Sequence, residues 1–214
     1  SLAATAGTTL FSSVSTIAGD SHLKAGTAIT HDTGRVAGVL LTETPGTTTL
    51  SGQFGALHVK TSGELVLGAV TVDGTSTVDG IRSVIIDASG PTTFGPTTVT
   101  GNADIRSAGA VSQTGALKVT GAMTLAAGQN AVTLGDDGND FAGLVTVAAG
   151  PVSLHDSNDL SVALTSGVTT LRAGGALTAS GTVAGLLSTR APGKTALSGH
   201  FGALDAGSGA LDFG

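Results

Sequence analysis

The 214-residue chain has no cysteine, tryptophan or tyrosine, and only 11% of its residues are charged against an average near ~25%. Without cysteine there are no disulfides and no thiol chemistry. With six phenylalanines as the only aromatics, no core can be built around bulky aromatic anchors. Stacking platforms for nucleic-acid bases are missing for the same reason. Nine Lys and Arg against fifteen Asp and Glu leave a net charge of −6, with no basic run to meet a phosphate backbone, so nucleic acid is excluded as a partner. No window approaches the roughly 18 unbroken apolar residues of a membrane span, so membrane insertion is not expected. No signal peptide is visible, and because the sequence opens at Ser1 in mid-repeat any targeting segment is expected outside it.

What is present is glycine and aliphatic side chains: 34 glycines, and a hydrophobic fraction of 40% made mostly of Val, Leu, Ile and Ala. Such a chain suits a narrow core of stacked aliphatics with glycine at the corners, where φ > 0 is needed. The local pattern agrees. Ile105-Arg106-Ser107, Val111-Ser112-Gln113, Leu117-Lys118-Val119 and Met123-Thr124-Leu125 follow one another six residues apart. Val132-Thr133-Leu134, Leu144-Val145-Thr146-Val147, Val152-Ser153-Leu154, Leu160-Ser161-Val162 and Val168-Thr169-Thr170-Leu171 continue at wider spacing. Period-two alternation bounded by turn formers reads as strand, and no stretch carries a 3.6-residue period. Strands this short and close predict an all-β fold, a right-handed parallel β-helix of roughly nine or ten coils with essentially no helix. Coils of roughly 18–27 residues would make a rod of about 45 Å. Gly135–Phe141, His155–Asp159 and Gly90–Pro96 read as irregular interruptions, the last because two prolines remove ladder donors.

The sequence also nearly repeats itself once. The block Val36-Ala37-Gly38-Val39-Leu40-Leu41 through Pro45-Gly46 to Leu50-Ser51-Gly52-Gln53-Phe54-Gly55-Ala56-Leu57 returns as Val183-Ala184-Gly185-Leu186-Leu187 through Pro192-Gly193 to Leu197-Ser198-Gly199-His200-Phe201-Gly202-Ala203-Leu204. Gly52 answers to Gly199, an offset of 147 residues. Upstream, Leu23-Lys24-Ala25-Gly26 answers to Leu171-Arg172-Ala173-Gly174 at an offset of 148. Residues 1–214 therefore read as one continuous segment holding about one and a half copies of a long unit, an internal piece of a larger array. Apolar residues, glycines and prolines persist between the copies, whereas Arg35 becomes Thr182, Glu43 becomes Arg190, Thr47 becomes Lys194, Gln53 becomes His200 and His58 becomes Asp205. A duplicated catalytic or metal site would hold its carboxylates and imidazoles. Here the packing is kept and the chemistry drifts, which points to a scaffold.

The runs Gly115-Ala116-Leu117-Lys118-Val119-Thr120-Gly121, Asn139-Asp140-Phe141-Ala142-Gly143-Leu144-Val145-Thr146-Val147 and Leu171-Arg172-Ala173-Gly174-Gly175-Ala176-Leu177-Thr178 resemble the filamentous-haemagglutinin-like exoproteins, large bacterial adhesins exported by two-partner secretion. The resemblance covers most of residues 100–185 and the first hundred more loosely. It implies a parallel β-helix, an extracellular or cell-surface location, and a role as fibre or adhesin.

Chemistry candidates are few. Asp136-Asp137-Gly138-Asn139-Asp140 carries oxygen ligands of the kind Ca²⁺ takes, but lacks the EF-hand and β-roll spacings. Asp and Asn also favour turns on their own account, and a solvated turn is the stronger reading. His22, His31, His58, His155 and His200 are scattered without metal-ligand spacing and read as exposed polar residues. No Gly-x-Ser-x-Gly elbow occurs. A sugar-cleaving β-helix needs paired carboxylates in a groove, normally floored by aromatics, and the composition does not furnish one. An ice-binding face needs a regular Thr-x-Thr ladder, whereas Thr48, Thr93, Thr98 and Thr170 are irregularly spaced. No catalytic, cofactor or metal residue is therefore assigned, and no enzyme activity is expected. Two functional classes remain: the stalk of a surface adhesin, whose host or cell-surface ligand binds elsewhere in the protein, and a self-assembling extracellular filament whose partners are neighbouring copies.

Overall fold

Each alternating run places its β-branched and aliphatic side chains on one side of an extended strand, and glycine turns the chain before the next. The computed structural model describes residues 2–7, 9–12, 16–32, 34–61, 65–72, 83–88, 90–99 and 101–214. Among them there is no helix, and every strand pairing is parallel. The strands wind as a β-solenoid in which each strand position pairs with its counterpart one coil further along the chain. This is the parallel β-helix predicted from the strand spacing.

Three faces can be followed. On the first, Leu2 pairs with Ser21, and the ladder continues through Leu40, Leu57, Val84, Ala103, Met123, Val145 and Val162 to Ala179, nine steps in all. On the second, Leu10 leads to Ile29, Thr48, Leu65, Thr92, Val111, Val132, Val152, Thr169 and Leu187. The third runs from Val36 through Phe54, Val72, Val99 and Val119 to Phe141. The third and first faces join in one strand in some coils, Arg35–Thr44 and Thr48–Thr61 early in the chain and Leu160–Ser166 later. Coils vary from 17 residues, Leu40 to Leu57, to 27, Leu57 to Val84.

The core is a set of vertical stacks. One row on the first face holds Leu23, Thr42, Val59, Ile86, Ile105, Leu125, Val147 and Leu164, register partners from coil to coil and all buried. Phe54 and Phe141 fill the third face, Phe94 the second. Full burial of each such side chain is worth about 1.5–3 kcal/mol. The stretch Gly90–Pro96, expected to be irregular, instead contributes strand Thr92–Phe94, paired on both sides. Its prolines stand just before strands Thr92–Phe94 and Thr97–Val99, where no ladder donor is lost. Corner geometry is repeated between the two copies: Gly34 and Gly52 have φ of 125° and 130°, and Gly181 and Gly199 have φ of 111° and 130°. A Cβ at Gly52 would lie 2.6 Å from the Gly34 carbonyl oxygen, so the coil below also demands glycine.

Candidate functional site

The residues singled out by sequence divide into two groups, a buried polar corner and exposed charged rows. The corner joins the second and third faces. Strand Val132–Leu134 ends in the turn 135–138, and the chain re-enters the sheet at Asp140–Phe141. Asp136 organises this turn itself, its Oδ1 accepting from the Gly138 N–H at 2.9 Å.

Asn139, read from sequence as belonging to a solvated turn, has no exposed surface at all. Its Oδ1 accepts from Gln113 Nε2 and from the Leu117 N–H, both at 2.8 Å. Its Nδ2 donates to Gln113 Oε1 at 3.0 Å and to the Leu134 and His155 carbonyls at 3.2 Å. Gln113 and Asn139 therefore bond reciprocally through their amides, one coil above the other. The solvated-turn reading holds for Asp137 and Gly138, which are exposed, and fails at Asn139, whose side-chain amide takes up backbone groups of the corner.

In the next coil Asp156 has a similar role. It is fully buried, with Oδ2 accepting from the Phe141 N–H and Oδ1 from the Asn158 N–H, each at 3.2 Å. Burial pushes its carboxyl above the usual carboxylate range, and the nearby Asp140 adds to the effect, against the two N–H bonds. Elsewhere the same logic appears in exposed form: Asp20, Asn102 and Asp159 each accept, through Oδ1, the N–H of a residue in the following coil, at 2.8, 2.9 and 2.7 Å. Asx residues at corners thus act as caps between coils.

The histidines do not share one fate. His31 is buried at 1% exposure and packs against Phe54 with ring centroids 5.6 Å apart, which corrects its reading as an exposed residue. The parity of Ile29 and His31 on one strand places both inside. Burial holds its imidazole below the ordinary value, opposed by the charge of Asp32. His155 Nδ1 lies 2.8 Å from Asp137 Oδ1 but off the hydrogen-bond direction, a close contact rather than an aligned bond. Among the described residues, no group of three or more His, Cys, Asp and Glu is placed to hold a metal ion. Asp136, Asp137 and Asp140 are each engaged by the protein itself, Asp140 accepting from Asn158 Nδ2 at 3.0 Å. The threonines of the supposed ice-binding pattern do not share one outer surface: Thr48, Thr93 and Thr170 belong to the second face, where Thr48 points into the core, and Thr98 belongs to the third.

The outer row of the first face reads Lys24, Glu43 and Lys60 in register, alternating in sign. Lys24 Nζ donates to Glu43 Oε2 at 3.0 Å, and His22 Nε2 lies 3.9 Å from Oε1. The Lys24 bond and charge hold the Glu43 carboxyl below its usual range, with smaller contributions from His22 and Lys60. Lys24, Glu43, Thr44, Pro45 and Lys60 line a shallow surface groove. In the second copy the matching positions are Arg172 and Arg190, again in register but of like charge. Arg190 turns instead to Asp205, with Nη2 to Oδ2 at 2.7 Å. Repeat-equivalent positions thus carry an ion pair in one copy and like-charged neighbours in the other. These rows neutralise themselves or meet solvent. They bring no nucleophile onto a base.

The fold and its polar residues define a β-solenoid repeat protein whose buried polar groups serve the coils. A family described as repeats of unknown function (DUF5649) matches residues 81–148. No curated protein and no solved structure matches the chain.

Proposed function

We propose that this chain is a rod-forming segment, the stalk or fibre of a large secreted or cell-surface bacterial adhesin, without enzymatic activity of its own. One observation carries the reading. Three pairs of aliphatic positions kept between the two copies lie inside in both, Val36 and Val183, Leu40 and Leu187, Leu50 and Leu197, each at most 2% exposed, whereas Leu57 is buried and its counterpart Leu204 is 37% exposed. Positions that drift, such as Glu43 to Arg190, lie on the outer rows. What is repeated is a way of stacking coils, not a site. The resemblance to filamentous-haemagglutinin-like exoproteins supplies the adhesin and the extracellular location. A host or cell-surface ligand then belongs to regions outside this segment.

A second reading, a self-assembling extracellular filament, is favoured by one corner of the rod. Val168 and Leu186 stand one above the other there, 54% and 40% exposed, beside a groove of small residues that includes Ala148, Gly150, Gly167 and Ala184. Sedimentation and electron microscopy of the purified chain separate the two. The stalk reading expects single unbranched rods at all concentrations; ordered polymers would replace it with the filament. Protease treatment of intact producing cells should remove the segment, and its survival inside unbroken cells would overturn both.

A further inference from the structure

The repeat and the coil do not divide evenly. From Leu40 the first-face ladder passes Leu57, Val84, Ala103, Met123, Val145 and Val162 and reaches Ala179 after seven complete coils. The repeat partner of Leu40 is not Ala179 but Leu187, which pairs with Thr169 on the second face. The eight residues from Ala179 to Leu187 equal the spacing from Leu40 to Thr48, one face of the coil. Other pairs move the same way. Leu23 is on the first face and its counterpart Leu171 on the second. Ile29 is on the second face, and its counterpart Leu177 continues the third where that face joins the first.

Local structure is nevertheless retained in the move. The positive-φ glycines Gly34 and Gly52 recur as Gly181 and Gly199. The Gly38 N–H donates to the Gly19 carbonyl at 3.3 Å, and the Gly185 N–H to the Gly167 carbonyl at the same 3.3 Å. The second copy is the first copy turned by one face about the rod axis. That is possible because the faces are built alike: each takes a short strand with two or three inward side chains and ends in a glycine or Asx corner.

We propose that the 147-residue unit is a stepping repeat, adding seven coils and one face, so that equivalent outer surfaces of consecutive units open on different sides of the rod. In a run of such units a given side recurs only after three of them, about 22 coils or ~105 Å. A second rod lying alongside would then meet the Lys24–Glu43 row of one unit but a different face of the next. Lateral zippering unit by unit is geometrically disfavoured, and any outer feature is displayed around the rod rather than along one edge. This inference stands on register alone and does not depend on the adhesin reading.

The absence of native cysteine makes the test direct. Spin labels are attached to two double variants, Glu43→Cys with Thr182→Cys and Glu43→Cys with Arg190→Cys. Thr182 is seven ladder steps from Glu43 on the same face, through Lys60, Asp87, Arg106, Ala126, Ala148 and Thr165. Arg190 is its repeat equivalent. Pulsed dipolar distances should be about 34 Å for the same-face pair and about 40 Å for the repeat-equivalent pair. The reverse order, or equal distances, would mean that the unit holds a whole number of coils and would overturn the proposal. The pairs Lys24→Cys with Thr165→Cys and Lys24→Cys with Arg172→Cys must show the same order, and they decide the question if either Glu43 variant fails to give the β-rich circular dichroism of the parent.

Discussion

Replacing Asn139 by alanine should be the most damaging polar substitution in this chain. The side chain is fully buried and makes five hydrogen bonds, to both ends of the Gln113 amide, to the Leu117 N–H, and to the Leu134 and His155 carbonyls. Truncation removes all five at once. Gln113 keeps one outlet, since its Nε2 already donates to the Gly115 carbonyl at 2.8 Å. The Leu117 N–H loses its acceptor, and the two carbonyls lose a donor inside a closed corner. Each stranded buried group costs about 1–3 kcal/mol, and water entering the vacated volume relieves some of that, so about 4 kcal/mol is expected. Asn139→Asp keeps the acceptor for Leu117 but turns a carboxylate toward two carbonyls, and should cost about 2 kcal/mol or more. The reference is Asp137→Ala two residues away, whose side chain is 87% exposed and whose loss should fall within about ±0.5 kcal/mol. Guanidinium chloride unfolding followed by circular dichroism gives the three values. Hydrogen exchange at the Leu117 amide reports the corner itself and should accelerate in Asn139→Ala alone. If Asn139→Ala and Asp137→Ala agree within about 0.5 kcal/mol, or the Leu117 amide keeps its protection, the corner is not held by this side chain.

Further outcomes follow from the same stacks and corners. Phe54→Ala and Leu50→Ala, both at 0% exposure, should each lower stability by about 2–5 kcal/mol, read as a shift in denaturation midpoint. Gly52→Ala and Gly199→Ala should each cost more than about 1 kcal/mol, because both glycines have φ of 130° and a Cβ would meet the coil below; thermal melts that match the parent would show that the corner relaxes freely. The lowered His31 imidazole gives a stability contribution that is present above the unfolded value of 6.5 and is lost as pH falls through the folded value. His31→Leu should therefore flatten the acid limb of the stability profile below that pH. Asp156 has the opposite sign: its raised carboxyl favours the fold at low pH, and that contribution is lost as pH rises from the unfolded value of 3.8 through the folded one. Asp156→Asn should abolish this slope, and an unchanged profile would show that the buried carboxyl does not titrate with folding.

The parallel coils, the absence of helix and the inward rows were legible in the sequence for a simple reason. Alternation with a period of two allows one burial pattern only, and aliphatic residues stack on their own kind from coil to coil. The duplicated block sharpened this by showing which positions are inside. His31 was within reach of the same reasoning, because it shares strand parity with Ile29, but its polarity suggested the surface. Asn139 and Asp156 were harder. Asx residues beside glycine fit an exposed turn as well as a buried cap, and only the coil lying above or below tells the two apart.

Composition and periodicity, acting through local sterics and burial, determined the strands and the stacks of this chain. Coil lengths, from 17 to 27 residues, were decided in three dimensions, since a turn can take up extra residues without disturbing the ladder on either side. From those lengths come the amide pair at Gln113 and Asn139, the buried carboxyl of Asp156, and the one-face turn between Leu40 and Leu187. A linear sequence records that Leu187 repeats Leu40, but the side of the rod on which it emerges depends on the sum of seven coils, and that sum is set by packing between residues far apart in the chain.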